Sequence, residues 1–420
     1  MRARKVELIK QKAEYQLTVD GSPFYIKGAG LELGSIQSLA DYGGNAFRTW
    51  RVDNGEKSGR EILDDAQHHG LMVCMGLDVA RERHGFDYSD KKAVAAQLAT
   101  IRKDILALKD HPALLMWGIG NELNLHHKNP KVWDAVNDIS KMIHRIDPNH
   151  PTTTMLAGAE PAVIKLVSKR CPDLDLLSLQ LYGDISHLPR YLTKSGYLGA
   201  YIISEWGVTG HWESPCTGWD RPFEATSSEK AKHYQQRYVD YILSDKSHCI
   251  GSFVFLWGQK QERTPTWYGM FLENGEHTES AQVMQQLWTD QRPPHPVARL
   301  IDFSINNLSS GDSIRLQSNA FCSATVKVNH SDPVSLQYRW ELLKEVERQK
   351  QSDGGDFEPR PETVWQQITQ GTRHPNGAES LKFKAPANGE YRLFIYVDDR
   401  HGGTATANLP LLVESLPICD

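Results

Sequence analysis
Short apolar or β-branched runs recur along the first part of the chain, at residues 24–27, 45–50, 71–77, 114–119, 152–156, 176–181, 200–204 and 250–257. Between them lie amphipathic stretches with apolar residues spaced for a helix, at 57–69, 91–109, 131–146, 162–169, 228–244 and 279–288. Strands that alternate with helical crossovers predict a parallel sheet, and eight of them predict a closed (β/α)8 TIM barrel. Several runs are apolar without alternation, as suits strands covered on both faces. A hairpin is expected at 15–27, turning at Asp20-Gly21. At 292–296 the sequence Arg-Pro-Pro-His-Pro makes a rigid break. Beyond it the pattern changes to strand-like runs at 320–328, 336–343, 380–383, 391–398 and 404–413, with no strong helical period. These predict a small antiparallel β-sandwich of immunoglobulin-like type, following the barrel. The expected domains are residues 1–292 and 297–420. The charged segment 344–359, with Gly354-Gly355, is expected to be a long exposed loop.

Composition narrows the classes. Of 420 residues 40% are hydrophobic and 24% charged, which suits two packed domains. The net charge of -5 leaves no basic footprint, so nucleic acid is not an expected partner. No apolar run approaches the ~20 residues of a membrane span. Cysteines 74, 171, 216, 249, 322 and 419 are scattered without paired spacing, and adjacent His126 and His127 would point apart. Neither a metal nor any other cofactor is therefore expected. The N-terminus lacks the apolar core of a secretion signal. Sandwich appendages belong mostly outside the cytoplasm, so a periplasmic or secreted chain that has lost its signal is the expectation, with a cytoplasmic one left open.

Two runs end in a glutamate. Glu122 follows Asn121 after an apolar stretch with Trp117, and Glu205 ends the stretch 200–205 before Trp206-Gly207. Counted along the barrel they fall just past strands four and seven, on the C-terminal rim where active sites of this fold are built. A pair of carboxylates on a rigid frame is the minimum equipment for cleaving a glycosidic bond. Glu32 and Asp78, after strands one and three, are candidates for binding substrate hydroxyls. Trp50, Trp206, Trp212, Trp219 and Trp267 lie in expected rim loops, and Trp206 and Trp212 are taken as sugar-stacking candidates. Helix capping, ion pairing and loop packing are the structural alternatives for each of these residues.

With these residues placed, the chain resembles the clan A glycoside hydrolases, above all the barrel domain of glycoside hydrolase family 2 and its cellulase-like relatives, over roughly residues 15–290. The resemblance implies Glu122 as general acid/base and Glu205 as nucleophile of a retaining double displacement, with the carboxyl groups ~5–5.5 Å apart. It implies that Asn121 binds the sugar 2-hydroxyl, that Arg48 sits beside the nucleophile and that the Tyr182 hydroxyl supports it. It implies Trp257 as the aromatic floor beneath the sugar. Two departures are Trp50-Arg51-Val52-Asp53 after strand two and Gln180 on strand six. They favour a β-linked glucan-type oligo- or polysaccharide as the partner, over a simple glycoside. Hydrolysis and transglycosylation share the first half-reaction and both stay open. The competing class is a catalytically silent glycan-binding barrel. A structural matrix protein is opposed by the polar complement of the rim.

Overall fold
The computed structural model of the protein describes residues 3–351, 355–371 and 378–415. The chain divides into two compact units, Met1–Gly207 with Gln236–Trp257, and Val208–Gln235 with Gly258–Asp420. The composition break at 292–296 falls inside the second of them.

The first unit opens with a small antiparallel sheet of β1 (Val6–Gln11), β2 (Glu14–Val19) and β3 (Ser22–Pro23). Asp20 and Gly21 make the β2–β3 turn with positive φ, as their sequence predicts. The pairing of β1 onto β2 was not anticipated. Eight parallel strands then close a barrel in chain order: β4 (Ile26–Gly30), β5 (Ala46–Arg48), β6 (Met72–Leu77), β7 (Leu114–Asn121), β8 (Thr152–Ala157), β9 (Leu177–Gln180), β10 (Tyr201–Glu205) and β11 (Cys249–Val254). β11 pairs back onto β4, so no edge is left open. Strands β6, β7, β9, β10 and β11 are buried at every position, and in β6 and β7 this shows as nearly unbroken apolar runs.

Two glycines let the barrel fill. A Cβ on Gly28 would lie 2.5 Å from the Phe253 ring, and one on Gly118 would lie 2.5 Å from the Met155 methyl. The hairpin plugs the opposite end: Val6, Leu17 and Val19 pack in one cluster with Ile26, Met72, Leu115, Ile202 and Phe253.

The helices follow the expected stretches closely at Lys91–Leu108, Lys131–Ile146, Pro161–Arg170 and Glu279–Thr289. The helix Gly59–His68 starts at Ser58, whose hydroxyl and the Glu61 carboxylate each accept from the other's backbone N–H. The single helix expected over 228–244 is instead Ser227–Arg237 followed by a π-helical turn, Tyr238–Ile242. Two short helices, Ile36–Asp41 and Leu188–Ser195, were not legible, being too brief to show a period. Among the described residues no helix is long and apolar enough to cross a membrane.

In the second unit, β12 (Arg299–Ile305), β13 (Leu308–Ser309), β15 (Phe321–Asn329) and β18 (Ala378–Lys384) form one sheet. The other comprises β14 (Ile314–Gln317), β16 (Gln337–Lys344), β17 (Thr363–Gln370), β19 (Gly389–Asp398) and β20 (Thr404–Glu414). Their facing side chains share one core, with Phe303 tilted against Trp340 and Trp365 against Phe383. The all-β expectation holds, although the β14–β20 pair is parallel. Strands β12, β13, β14 and β17 were missed; β17 is mostly exposed and polar, so its sequence carries no buried face to detect.

Of the charged segment 344–359, residues 352–354 lie outside the described residues. In the remainder, Phe357 is exposed, while the buried Glu358 carboxylate accepts from the Arg263 backbone N–H at 2.6 Å. Cys74, Cys171, Cys249 and Cys322 are buried thiols and Cys216 an exposed one; Cys419 lies outside the described residues.

Candidate active site
The C-terminal ends of β5 and β9, with the residues just after them, place four polar side chains around one carboxylate at the end of β10. Glu205 is the last residue of β10, and the register against β9 shifts between Ile203 and Glu205. Such a bulge re-aims the side chain that follows it. Oε1 of Glu205 accepts from Arg48 Nη1 at 3.0 Å, Trp50 Nε1 at 2.9 Å and Gln180 Nε2 at 2.9 Å. Oε2 accepts from the Tyr182 hydroxyl at 2.9 Å. A carboxylate so supplied with donors is fixed in orientation, and the cage suits its anionic, acceptor-only form.

Arg48 is itself fixed. Its guanidinium is 1% exposed, lies 4.8 Å from the Trp50 ring centre and donates to the Ser204 carbonyl at 3.2 Å. A second nitrogen donates to Asn121 Oδ1 at 2.7 Å, and that oxygen also accepts from Gln180 at 2.8 Å. With its oxygen occupied, Asn121 has its amide N–H groups left to meet a ligand.

Glu122 stands at the next turn of backbone. The register of β7 against β8 slips between Gly118 and Asn121, and both Gly120 and Glu122 have positive φ, 72° and 52°. For a non-glycine residue the left-handed region costs on the order of 1 kcal/mol, a strain typical of functional positions. The turn is held by the Glu122 N–H donating to the Met155 carbonyl at 2.9 Å and by its own carbonyl accepting from the Leu125 N–H at 3.0 Å. Removal from bulk water, reinforced by the charge of Glu205, pushes the Glu122 carboxyl up to about 7, against the pull of Arg83, Arg81 and Arg48. One carboxyl is therefore poised to hold a proton near neutrality, beside another wrapped in donors.

Glu122, Glu205, Arg48, Asn121 and Tyr182 thus meet at one place. The other candidates are placed differently. Trp257 is fully buried, donates from Nε1 to Ser38 at 2.8 Å and packs edge-on to Tyr42, so it presents no face to a ligand. Trp206 is also fully buried, stacked on Tyr238. The aromatic ring against the site is Phe255, edge-on to both Trp50 and Tyr182 at 5.9 Å. Strand β11 ends at Val254, so the alternation that would put residues 255 and 257 on one face does not reach them. Trp212 belongs to the second unit, 60% exposed and edge-on to His211. Glu32 pairs with Arg51 at 2.8 Å, in the wall of a cavity of about 240 Å³ formed with Phe47, Asn54 and Lys57. Asp78 is exposed after β6. Trp50, expected only as a rim-loop tryptophan, and Gln180, noted only as a departure on strand six, are donors to Glu205, a role the sequence did not suggest.

The profile of the "Glycosyl hydrolases family 2, TIM barrel domain" matches residues 49–307. The chain is 22% identical to a beta-glucuronidase of Chlorocebus aethiops over 330 residues, 68% of this chain and 48% of that protein. It is 25% identical to the beta-glucuronidase of Pongo abelii over the same shares of both chains. It is also 28% identical to a beta-galactosidase of Vibrio vulnificus (strain YJ016) over 162 residues, 33% of this chain and 15% of that one. The chain therefore spans about half the length of the beta-glucuronidases it matches. Among solved structures, an FMN-binding beta-glucuronidase from Facaelibacterium prausnitzii L2-6 superposes with a TM-score of 0.52 at 13% identity, covering 99% of this chain and 60% of that one; at that identity the likeness is one of fold. The chain belongs to glycosyl hydrolase family 2 through its TIM-barrel domain.

Proposed function
We propose that the chain is a retaining β-glycosidase, hydrolysing or transferring a β-linked glucan-type oligo- or polysaccharide. The observation that carries the proposal is the contrast between the two carboxyls: Glu205 accepts four hydrogen bonds, while Glu122 is pushed up to about 7. In the first step Glu205 attacks the anomeric carbon as the bond to the leaving oxygen breaks, and Glu122 gives that oxygen its proton. Oε2 is the better placed attacking atom, because only Tyr182 occupies it, whereas Oε1 is held by three donors. In the second step Glu122 takes a proton from the incoming water or sugar hydroxyl, and the bond from carbon to Glu205 breaks. Asn121 would meet the 2-hydroxyl with its free amide N–H groups.

Product analysis on a panel of β-glucans, β-mannans and simple β-glycosides tests this, with the anomer formed first read by NMR. Retention of configuration, lost in Glu205→Gln by at least about 10⁴-fold, is the expected result. An inverted product would overturn the double displacement. Binding without turnover in both proteins would leave the silent glycan-binding barrel.

A further inference from the structure
Cationic side chains stand beside Glu122 on the rim, in a chain whose net charge is -5. The segment after β6 brings Arg81 and Arg83, and the segment after β7 brings the exposed His126 and Lys128. Arg81 Nε donates to the Asn121 carbonyl at 3.2 Å, and Arg83 Nη1 reaches the Glu122 carbonyl at 3.5 Å. Both guanidinium groups therefore hang on the backbone that presents the acid. The terminal nitrogens of Arg81 have no hydrogen-bond partner and no carboxylate among the described residues.

Three nearby carboxylates hold backbone donors. Glu82 accepts from the N–H groups of Lys128 and Asn129 at 2.7 and 3.0 Å, Asp87 from Ser89 N–H at 2.7 Å, and Asp90 caps the helix Lys91–Leu108. Asp78 is exposed, and the charges acting most strongly on Glu122 are Glu205, Arg83, Arg81 and Arg48. A half-buried fork with its ends free is the arrangement that matches a carboxylate in two parallel hydrogen bonds.

Position decides what such a group would do. The acid gives its proton to the oxygen of the leaving group, so side chains anchored on the Glu122 turn flank the leaving-group side of the scissile bond. The geometry points to Arg81, with Arg83 beside it, as a subsite for a carboxylate on the leaving-group portion of the glycan, of the uronic-acid type. The inference rests on the glycosidase reading above and adds to it the charge and the side of the substrate.

The test uses pairs of aryl β-glycosides that differ only in the leaving group, 4-carboxyphenyl against its methyl ester, on glucosyl, galactosyl, mannosyl and glucuronyl parents. The ester is the more reactive leaving group, so intrinsic reactivity works against the expected result. Wild type should favour the carboxylate in kcat/KM by about tenfold at low ionic strength, the worth of a hydrogen bond to a charged group. The preference should shrink as salt shortens the screening length to about 8 Å at 0.15 M. In Arg81→Gln the carboxylate-to-ester ratio should fall towards one. Arg81→Lys, which keeps the charge and loses the fork, should retain part of it.

A ratio near one in wild type, or an undiminished ratio in Arg81→Gln, overturns the subsite and leaves the glycosidase reading standing. If no pair is turned over, calorimetric titration of the same pairs decides. Tighter binding of the carboxylate supports the subsite while the glycosidase reading falls alone; equal binding overturns the subsite.

Discussion
Glu122 concentrates the conflict between stability and chemistry in one side chain. Its carboxyl is pushed from an ordinary 4.5 up to about 7, chiefly by desolvation. Between those values the folded protein holds a proton that the unfolded chain has released, so stability falls as pH rises through this window. Below it the cost is absent; above it the cost is complete. Glu122→Gln carries no such charge and should be more stable than wild type at pH 8 by up to about 3 kcal/mol, the advantage vanishing near pH 4. Denaturant titrations of both proteins at the two pH values check this; equal stabilities at pH 8 would refute the raised carboxyl. The same substitution should cost about 10²–10⁴-fold in turnover of substrates with poor leaving groups. It should cost far less for activated aryl glycosides, which need little proton donation, as paired kcat measurements would reveal.

At the scale of the element, the site depends on strand ends that depart from regular geometry. The slips in β7 and β10 turn Glu122 and Glu205 out of the pleat, while the strands beneath stay packed through glycine. Gly28 is one such case: a Cβ there would lie 2.5 Å from the Phe253 ring and 2.9 Å from the Ala46 carbonyl, and the backbone cannot swing aside. Gly28→Ala should therefore destabilise the barrel by about 2–3 kcal/mol. Gly118→Ala meets the flexible end of Met155 and should cost less. Thermal melts of the two variants side by side test the ordering, and a Gly118→Ala loss exceeding that of Gly28→Ala would contradict it.

On the scale of the whole molecule, the first unit closes a barrel at one end with the small sheet β1–β3 and leaves the other end for chemistry. Val6, Leu17 and Val19 are each at most 4% exposed against the barrel floor. Burial of three such side chains contributes on the order of 5 kcal/mol, comparable with the net stability of a domain. Removal of residues 1–23 should thus leave Ile26, Met72, Ile202 and Phe253 facing water, and should abolish cooperative unfolding or drive aggregation. Light scattering and a calorimetric melt would detect either outcome; a truncated protein melting like the parent would show that the plug is dispensable.

The sequence by itself determined the eight-strand order, most of the helices and the positions of Glu122, Glu205, Arg48, Asn121 and Tyr182 at strand ends. Each of those follows from local pattern: a strand covered on both faces must be apolar, and a charged residue at its end must lie on the rim. What surrounds Glu205 was decided only in three dimensions. The Trp50 indole and the Gln180 amide reach Glu205 from other strands, and no spacing along the chain encodes that convergence. Beyond the end of β11 at Val254, Phe255 packs edge-on to Trp50 and Tyr182 while Trp257 is fully buried, an outcome no local pattern encodes. Trp206, adjacent in sequence to Glu205, turns into the core against Tyr238. The guanidinium fork of Arg81 comes beside Glu122 through the Asn121 carbonyl on a neighbouring strand. Periodicity fixes which elements form and which ends they expose; the closure of the ring fixes which side chains from distant elements share one oxygen.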